Sequence, residues 1–190
     1  MSRRIISEIK YPEIGVCGLS CRLCPRYHTE TKSRCGGCKS EVRMAVGCPF
    51  ITCAVKRKRI EFCWDCKEHD ICKKWKQHRE SGKRRDSFKS YQTLEDDILF
   101  IQNNGINEFE NTQKTRELLL RDMLRQFNEG RSKSYYCIAT TVLNTAELKE
   151  AIDWAKKHSK GLSVKEKSRI LHSILDSTAK KENRVLKLRK

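Results

Sequence analysis

The stretch CGLSCRLCPRYHTETKSRCGGCKSEVRMAVGCPFITCAVKRKRIEFCWDCKEHDIC, running from Cys17 to Cys72, decides the fold. It holds ten of the chain's 11 cysteines: Cys17, Cys21, Cys24, Cys35, Cys38, Cys48, Cys53, Cys63, Cys66 and Cys72. Three CxxC pairs stand out, Cys21/Cys24, Cys35/Cys38 and Cys63/Cys66. A CxxC turn sets two thiolates on one edge of a metal tetrahedron and frees backbone amides to hydrogen-bond the sulfurs. Two such turns about 10 to 20 residues apart can close a four-sulfur site. Gly36 and Gly37, between the second pair, suit a tight turn that needs positive φ or close backbone approach.

Two staples are open to a cysteine-rich segment, disulfides and metal, and the compartment chooses between them. Met1 to Glu13 (MSRRIISEIKYPE) starts basic but has no apolar stretch of leader length, and no segment approaches a membrane span. The reading is therefore a cytoplasmic protein whose reduced thiols bind metal, with a disulfide-bonded secreted form as the alternative. The simplest partition puts Cys21, Cys24, Cys35 and Cys38 on one ion and Cys48, Cys53, Cys63 and Cys66 on another. Cys17 and Cys72 are left to substitute or to share a third. Two or three zinc ions are expected. All-thiolate sites also suit an iron–sulfur cluster, and Cys24-Pro25 and Cys48-Pro49 keep that alternative open. His69 and His28 read as loop histidines rather than ligands. Cys17, Cys21 and Cys24 have the CxxxCxxC spacing of radical-SAM enzymes, but the βα units that would surround such a cluster are missing.

The ordered series resembles the domain-of-unknown-function family 3795. It is carried by Cys17-Gly18-Leu19 with Cys21, Cys24 and Tyr27, then Cys35-Gly-Gly-Cys38-Lys-Ser, Cys48, Cys53-Ala54, Cys63-x-x-Cys66 and Cys72-Lys73. The match covers about residues 14–76, and Phe127 to Cys137 (FNEGRSKSYYC) looks like an extension carried by longer members. The resemblance implies a small prokaryotic metal-binding protein, zinc in the first instance, and adds little on mechanism. Many members come from anaerobes, which lends weight to the iron–sulfur alternative.

Composition agrees with a metal-stapled half. Hydrophobic residues are 37% of the 190, and the net charge is +17. Residues 1–85 hold 21 of the 41 Lys and Arg but 9 of the 24 Asp and Glu, so the cysteine-rich half is also the basic half. Lys56-Arg-Lys-Arg59 and Lys83-Arg-Arg85, with Trp64 and Trp75 nearby, point to nucleic acid or an acidic protein surface as partner. The bland alternative is a solvated surface with both tryptophans packed over the metal sites.

From Thr93 the pattern becomes helical. Thr93 to Asn104, then Asn107 (with Glu110 at capping-box spacing) to Asn128, Thr145 to just before Gly161, and a helix opened by the box Ser163-x-x-Glu166 make four amphipathic helices. Arg131 to Leu143 is ambiguous between buried helix and extended crossing. The fold expected is mainly α: a cysteine-rich, metal-stabilised module with little regular structure at 14–76, a basic linker at 77–92, a small helical bundle at 93–180 and a frayed basic tail at 181–190. Cys137 reads as a buried small hydrophobe and Arg131-Ser-Lys133-Ser as a basic loop able to meet an anion. Glu95, Asp96 and Asp97 read as first-turn helix charges. No histidine lies beside a serine or cysteine at nucleophile spacing, so no catalytic residue is singled out.

Overall fold

The computed structural model describes residues 9–32 and 34–190; most of the segment read above for leader character lies outside them. Among the described residues the regular structure is helical, apart from an isolated bridge between Ile14 and Ser20. No helix there is long and apolar enough to cross a membrane. The cysteine-rich part carries only short elements: 3-10 turns at Cys21–Leu23 and Cys63–Asp65, α1 at Glu41–Val46, and α2 at Pro49–Ile51 continuing as a π-helical stretch over Thr52–Lys58. Longer helices follow. These are α3 (Lys73–Arg84), α4 (Leu94–Asn104), α5 (Ile106–Phe127), α6 (Lys133–Val142), α7 (Thr145–His158) and α8 (Val164–Lys181).

The caps explain where most of the long helices begin and end. Ser163 accepts from the Glu166 amide while the Glu166 side chain accepts from the Ser163 amide, so α8 opens on a full capping box. Asn144 does half of this for α7, taking the Ala146 amide at 2.8 Å. Gly105, at φ 84°, ends α4 and starts α5 in one residue, a backbone conformation that costs glycine little. The box expected at Asn107 and Glu110 does not form. Asn107 instead receives the Tyr11 hydroxyl at 2.6 Å, and Glu110 pairs with Arg22 and Lys114. The ambiguous stretch is α6, and it buries Tyr136, Cys137, Ala139 and Thr140 completely or nearly so.

One apolar cluster fills the bundle. Leu120, Met123 and Phe127 of α5 meet Tyr136 and Val142 of α6, Leu148 and Ile152 of α7, and Leu171 and Leu175 of α8. Leu23 of the cysteine-rich part enters the same cluster. Two further clusters cross the junction: Ile14 and Phe62 pack with Ile101 and Phe109, while Leu19 and Trp75 pack with Leu94 and Ile98. Arg22 adds ion pairs across it to Glu110 at 3.4 Å and Glu117 at 2.8 Å. The module is thus seated on the α4–α5 pair.

Two expectations are corrected. The segment 77–92 is no plain linker, since α3 runs to Arg84 and packs Gly82 against Tyr91 and Leu94. The tail is no loose end either. Arg189 donates from its backbone and guanidinium to Asp86, whose side chain is fully buried, and to the carbonyls of Gly82 and Lys83 at the end of α3. The physical reason is local: α3 leaves terminal carbonyls unpaired and the buried Asp86 carboxylate with only the Tyr91 amide, and a guanidinium supplies donors to both and the counter-charge.

Candidate metal centre

The backbone around the cysteines is a series of tight turns. The Cys24 amide bonds the Cys21 carbonyl at 3.0 Å and the Cys66 amide bonds the Cys63 carbonyl at 3.3 Å, which are the CxxC turns expected. Gly37 sits at φ 100°, and the turn it permits brings the Cys38 amide to 3.2 Å from Cys21 Sγ. A methyl built on Gly15 would stand 3.5 Å from Cys17 Sγ and 3.9 Å from Cys38 Sγ, so those two sulfurs share one neighbourhood. Cys48 precedes the Pro49 turn and Cys72 caps α3.

The ten thiols fall into two adjoining groups. Cys17, Cys21, Cys24, Cys35, Cys38 and Cys48 line a cavity of about 220 Å³. Cys53, Cys63, Cys66 and Cys72 line one of about 80 Å³, together with His69 and Lys58. Cys17, Cys48 and Cys72 therefore stand where the simplest sequence partition did not put them, and no cysteine of the ten is left over. Among the described residues no three Cys, His, Asp or Glu side chains already stand as a set able to hold an ion. Both ring nitrogens of His69 are engaged, with the Cys66 carbonyl at 2.9 Å and Asp70 at 3.1 Å, and His28 bonds the Arg22 carbonyl.

Burial and mutual proximity decide the thiol chemistry. Burial pushes Cys63 up to about 12, with the neighbouring Cys17, Cys72, Cys53 and Cys66 thiols adding to it. Cys17 is raised by burial first and by Cys21 and Cys48 next, while Lys89 opposes the rise. Cys21 and Cys38 share a hydrogen bond that raises the first and holds the second below the usual thiol range.

Two buried lysines flank the first group, and neither was legible in the sequence. Lys39 is 1% exposed; its ammonium reaches Glu61 at 2.8 Å and the Tyr11 carbonyl at 3.2 Å, and lies over the Phe62 ring. Lys89 is 6% exposed and donates to the Ser20 carbonyl, with no carboxylate partner among the described residues. Its charge favours thiolate at Cys17, Cys21 and Cys38. Lys58, at the end of the π-helical stretch that carries the basic run Lys56 to Arg59, donates to Cys66 Sγ at 3.3 Å and pairs with Glu68 at 2.8 Å. Arg57 and Arg59 remain exposed. Trp75 is 2% exposed and Trp64 is stacked on Phe62, so both tryptophans are packing residues.

A second polar group was also missed. Ser132 Oγ lies 2.8 Å from His172 Nε2 and 3.2 Å from Ser168 Oγ, which in turn donates to Glu129 at 3.0 Å. The pair is 40 residues apart in sequence, so spacing could not show it. Ser132 is 3% exposed, and the contact ties the start of α6 to α8.

Residues 13–77 match the model of a family described as protein of unknown function (DUF3795). The match covers about a third of the chain and the whole cysteine series. No curated protein and no solved structure matches the chain.

Proposed function

We propose, with the family domain at residues 13–77 as premise, that the cysteine-rich module is a thiolate metal centre, structural zinc in the first instance. Cys53, Cys63, Cys66 and Cys72 would hold one ion, and a second would take its ligands from Cys17, Cys21, Cys24, Cys35, Cys38 and Cys48. Lys89 carries this reading. Burying an ammonium that makes no ion pair is costly, and thiolates at Cys17, Cys21 and Cys38 would add to the Asp97 carboxyl as the negative charge around it. A bound ion holds thiols ionised and couples that ionisation to folding, which the raised thiols need.

The second reading is an iron–sulfur cluster with a redox or cluster-carrying role. Room favours it in the first group, where six thiols surround about 220 Å³, against about 80 Å³ in the second. Elemental analysis of protein purified without oxygen separates the two. Zinc near two per chain and no colour support the first; iron with acid-labile sulfide and visible absorbance supports the second. Protein that folds fully and carries neither overturns both.

A reducing compartment, the cytoplasm, suits free thiols. On this reading the module is an adaptor rather than an enzyme, and its exposed cations, Arg57 and Arg59 with Lys56, would meet a nucleic-acid backbone or an acidic protein surface.

A further inference from the structure

Well away from the thiols, a cavity of about 310 Å³ opens between α4, α5, the α6–α7 connection and the residues after α8. Its floor is apolar, formed by Phe100, Phe109 and Leu143. Gln113 lines it from α5 and is 4% exposed, yet its carboxamide makes no hydrogen bond to any described residue. The carboxamide therefore opens onto the cavity, where its oxygen and nitrogen are available to whatever enters it.

The charged groups around it are unequally engaged. Arg116 spends its Nη1 on the carbonyls of Thr140 and Leu143, at 2.5 and 2.9 Å, and so closes the end of α6. Arg184 leans on Asp96 at 3.5 Å, and Glu182 accepts the Asn144 amide at 3.0 and 3.1 Å. Asp97 has the Thr93 hydroxyl at 3.2 Å on one oxygen and no ion pair among the described residues. Three carboxyl groups and two guanidiniums line the cavity, and Asp97 carries no direct ion pair among the described residues.

We infer that this cavity binds a small organic amine: a primary ammonium group set between the Asp97 carboxylate and the Gln113 carboxamide, with a short apolar body on Phe100 and Phe109. An ammonium offers N–H donors to both acceptors, which an anion cannot do, and the neighbouring phenylalanines favour an organic cation over a bare metal ion. The site also explains Asp97 itself. Burial pushes its carboxyl up to about 7 against the Thr93 hydroxyl bond, with Arg116 and Lys89 lowering it and Asp96 raising it. A bound ammonium would ionise it.

Calorimetric titration of the full chain with phenethylamine, and with its neutral counterpart 2-phenylethanol, tests the site. Saturable binding of the amine is expected, with affinity lower by roughly tenfold or more for the alcohol and in Asp97→Asn. Near pH 7 the heat should vary with the ionisation enthalpy of the buffer, because Asp97 releases a proton, and Asp97→Asn should abolish that variation. Gln113→Leu, which keeps the helix face, should weaken the amine while leaving far-UV circular dichroism unchanged. Equal affinity for amine and alcohol, unchanged binding in Asp97→Asn, or no saturable heat from the amine would each overturn the inference and leave the cavity to solvent.

Discussion

The cysteine-rich module and the bundle solve the same problem by different means. The bundle buries Leu120, Leu148, Leu171 and Leu175 completely in one cluster and opens its last helix with a full capping box. The module spreads its apolar residues over small clusters, such as Val16 with Met44, Ile51, Ala54 and Val55, and instead gathers ten buried or half-buried thiols, with the buried ammonium of Lys39 beside them and that of Lys89 packed on from the segment after α3. Apolar burial is non-directional and needs no partner, whereas buried thiols and lysines stabilise only when their charges are matched. The difference locates the chain's dependence on conditions: the module should answer to metal and redox state, the bundle to packing.

The hardest test of that contrast is metal removal. Structural zinc supplies on the order of 10 kcal/mol of folding free energy, so chelation under reducing conditions should unfold the module while α5 to α8 stay folded. Two-dimensional amide NMR would show loss of dispersion for residues 14–76 and retained signals from Leu120 to Leu175. Unchanged module signals after verified metal loss would sink the proposed centre.

Leu120→Ala probes the other side. Leu120 is fully buried, and a leucine-to-alanine change at such a site costs about 2 to 5 kcal/mol through the apolar packing it removes and the residual cavity it leaves. The denaturant midpoint should fall accordingly while metal per folded molecule stays constant. A matching loss of metal at low denaturant would show that the two halves do not separate as argued.

An effect confined to one pH window, at most about 4 kcal/mol at 1.36 kcal/mol per pH unit, is expected at Asp97. Its carboxyl is raised to about 7 in the folded chain, by burial first, against an ordinary 3.8. The folded state therefore holds this proton more tightly than the unfolded state. The wild type loses stability as pH rises from about 4 to about 7, and the penalty is constant above that window. Asp97→Asn removes the ionisation, so its advantage over wild type should grow through the same window and level off above it. Thiol titration is common to both proteins and cancels in the difference. An advantage that does not vary with pH would show that Asp97 is not a buried ionising group.

The two halves also differ in how far the sequence could be read. Ser163 and Glu166 are three residues apart and form a local box, so spacing alone revealed it. Asn107 and Glu110 have the same spacing and do not, because Tyr11 and Arg22 from the distant module take their side chains. Cysteine identity announced the thiols, but their grouping depends on how the turns fold over one another, which is why the simplest partition puts Cys48 in the other group and leaves Cys17 and Cys72 over. Lys39 and Lys89 look like any surface lysine in sequence; only the packing of Phe62 and the position of the Ser20 carbonyl reveal them as buried. Ser132 and His172 meet across two helices and left no local trace. Arg189 was read as a tail residue because its partner, Asp86, lies 103 positions away.

The smallest consequence for folding belongs to the basic run. Lys58 is tied to Cys66 and Glu68, so replacing it would disturb the module, while Arg57 and Arg59 are exposed and Lys56 is half-buried beside them. Changing Lys56, Arg57 and Arg59 together to glutamine should leave metal content and thermal midpoint essentially unaltered. If the run meets a phosphate backbone, the triple variant should bind single- and double-stranded oligonucleotides more weakly by a similar factor whatever their sequence. Its salt dependence should also be shallower, by roughly 0.7 to 0.9 in the log–log slope for each phosphate the variant no longer neutralises, since each neutralised phosphate releases condensed counterions. Arg59 sits at φ 58°, in the left-handed region, and glutamine accepts that conformation no worse than arginine, so the comparison isolates charge. Identical slopes for wild type and variant, or no binding by wild type at low salt, would turn the search for a partner toward an acidic protein surface. The same variant would then be the reagent for that search, because only the charge of this stretch has changed.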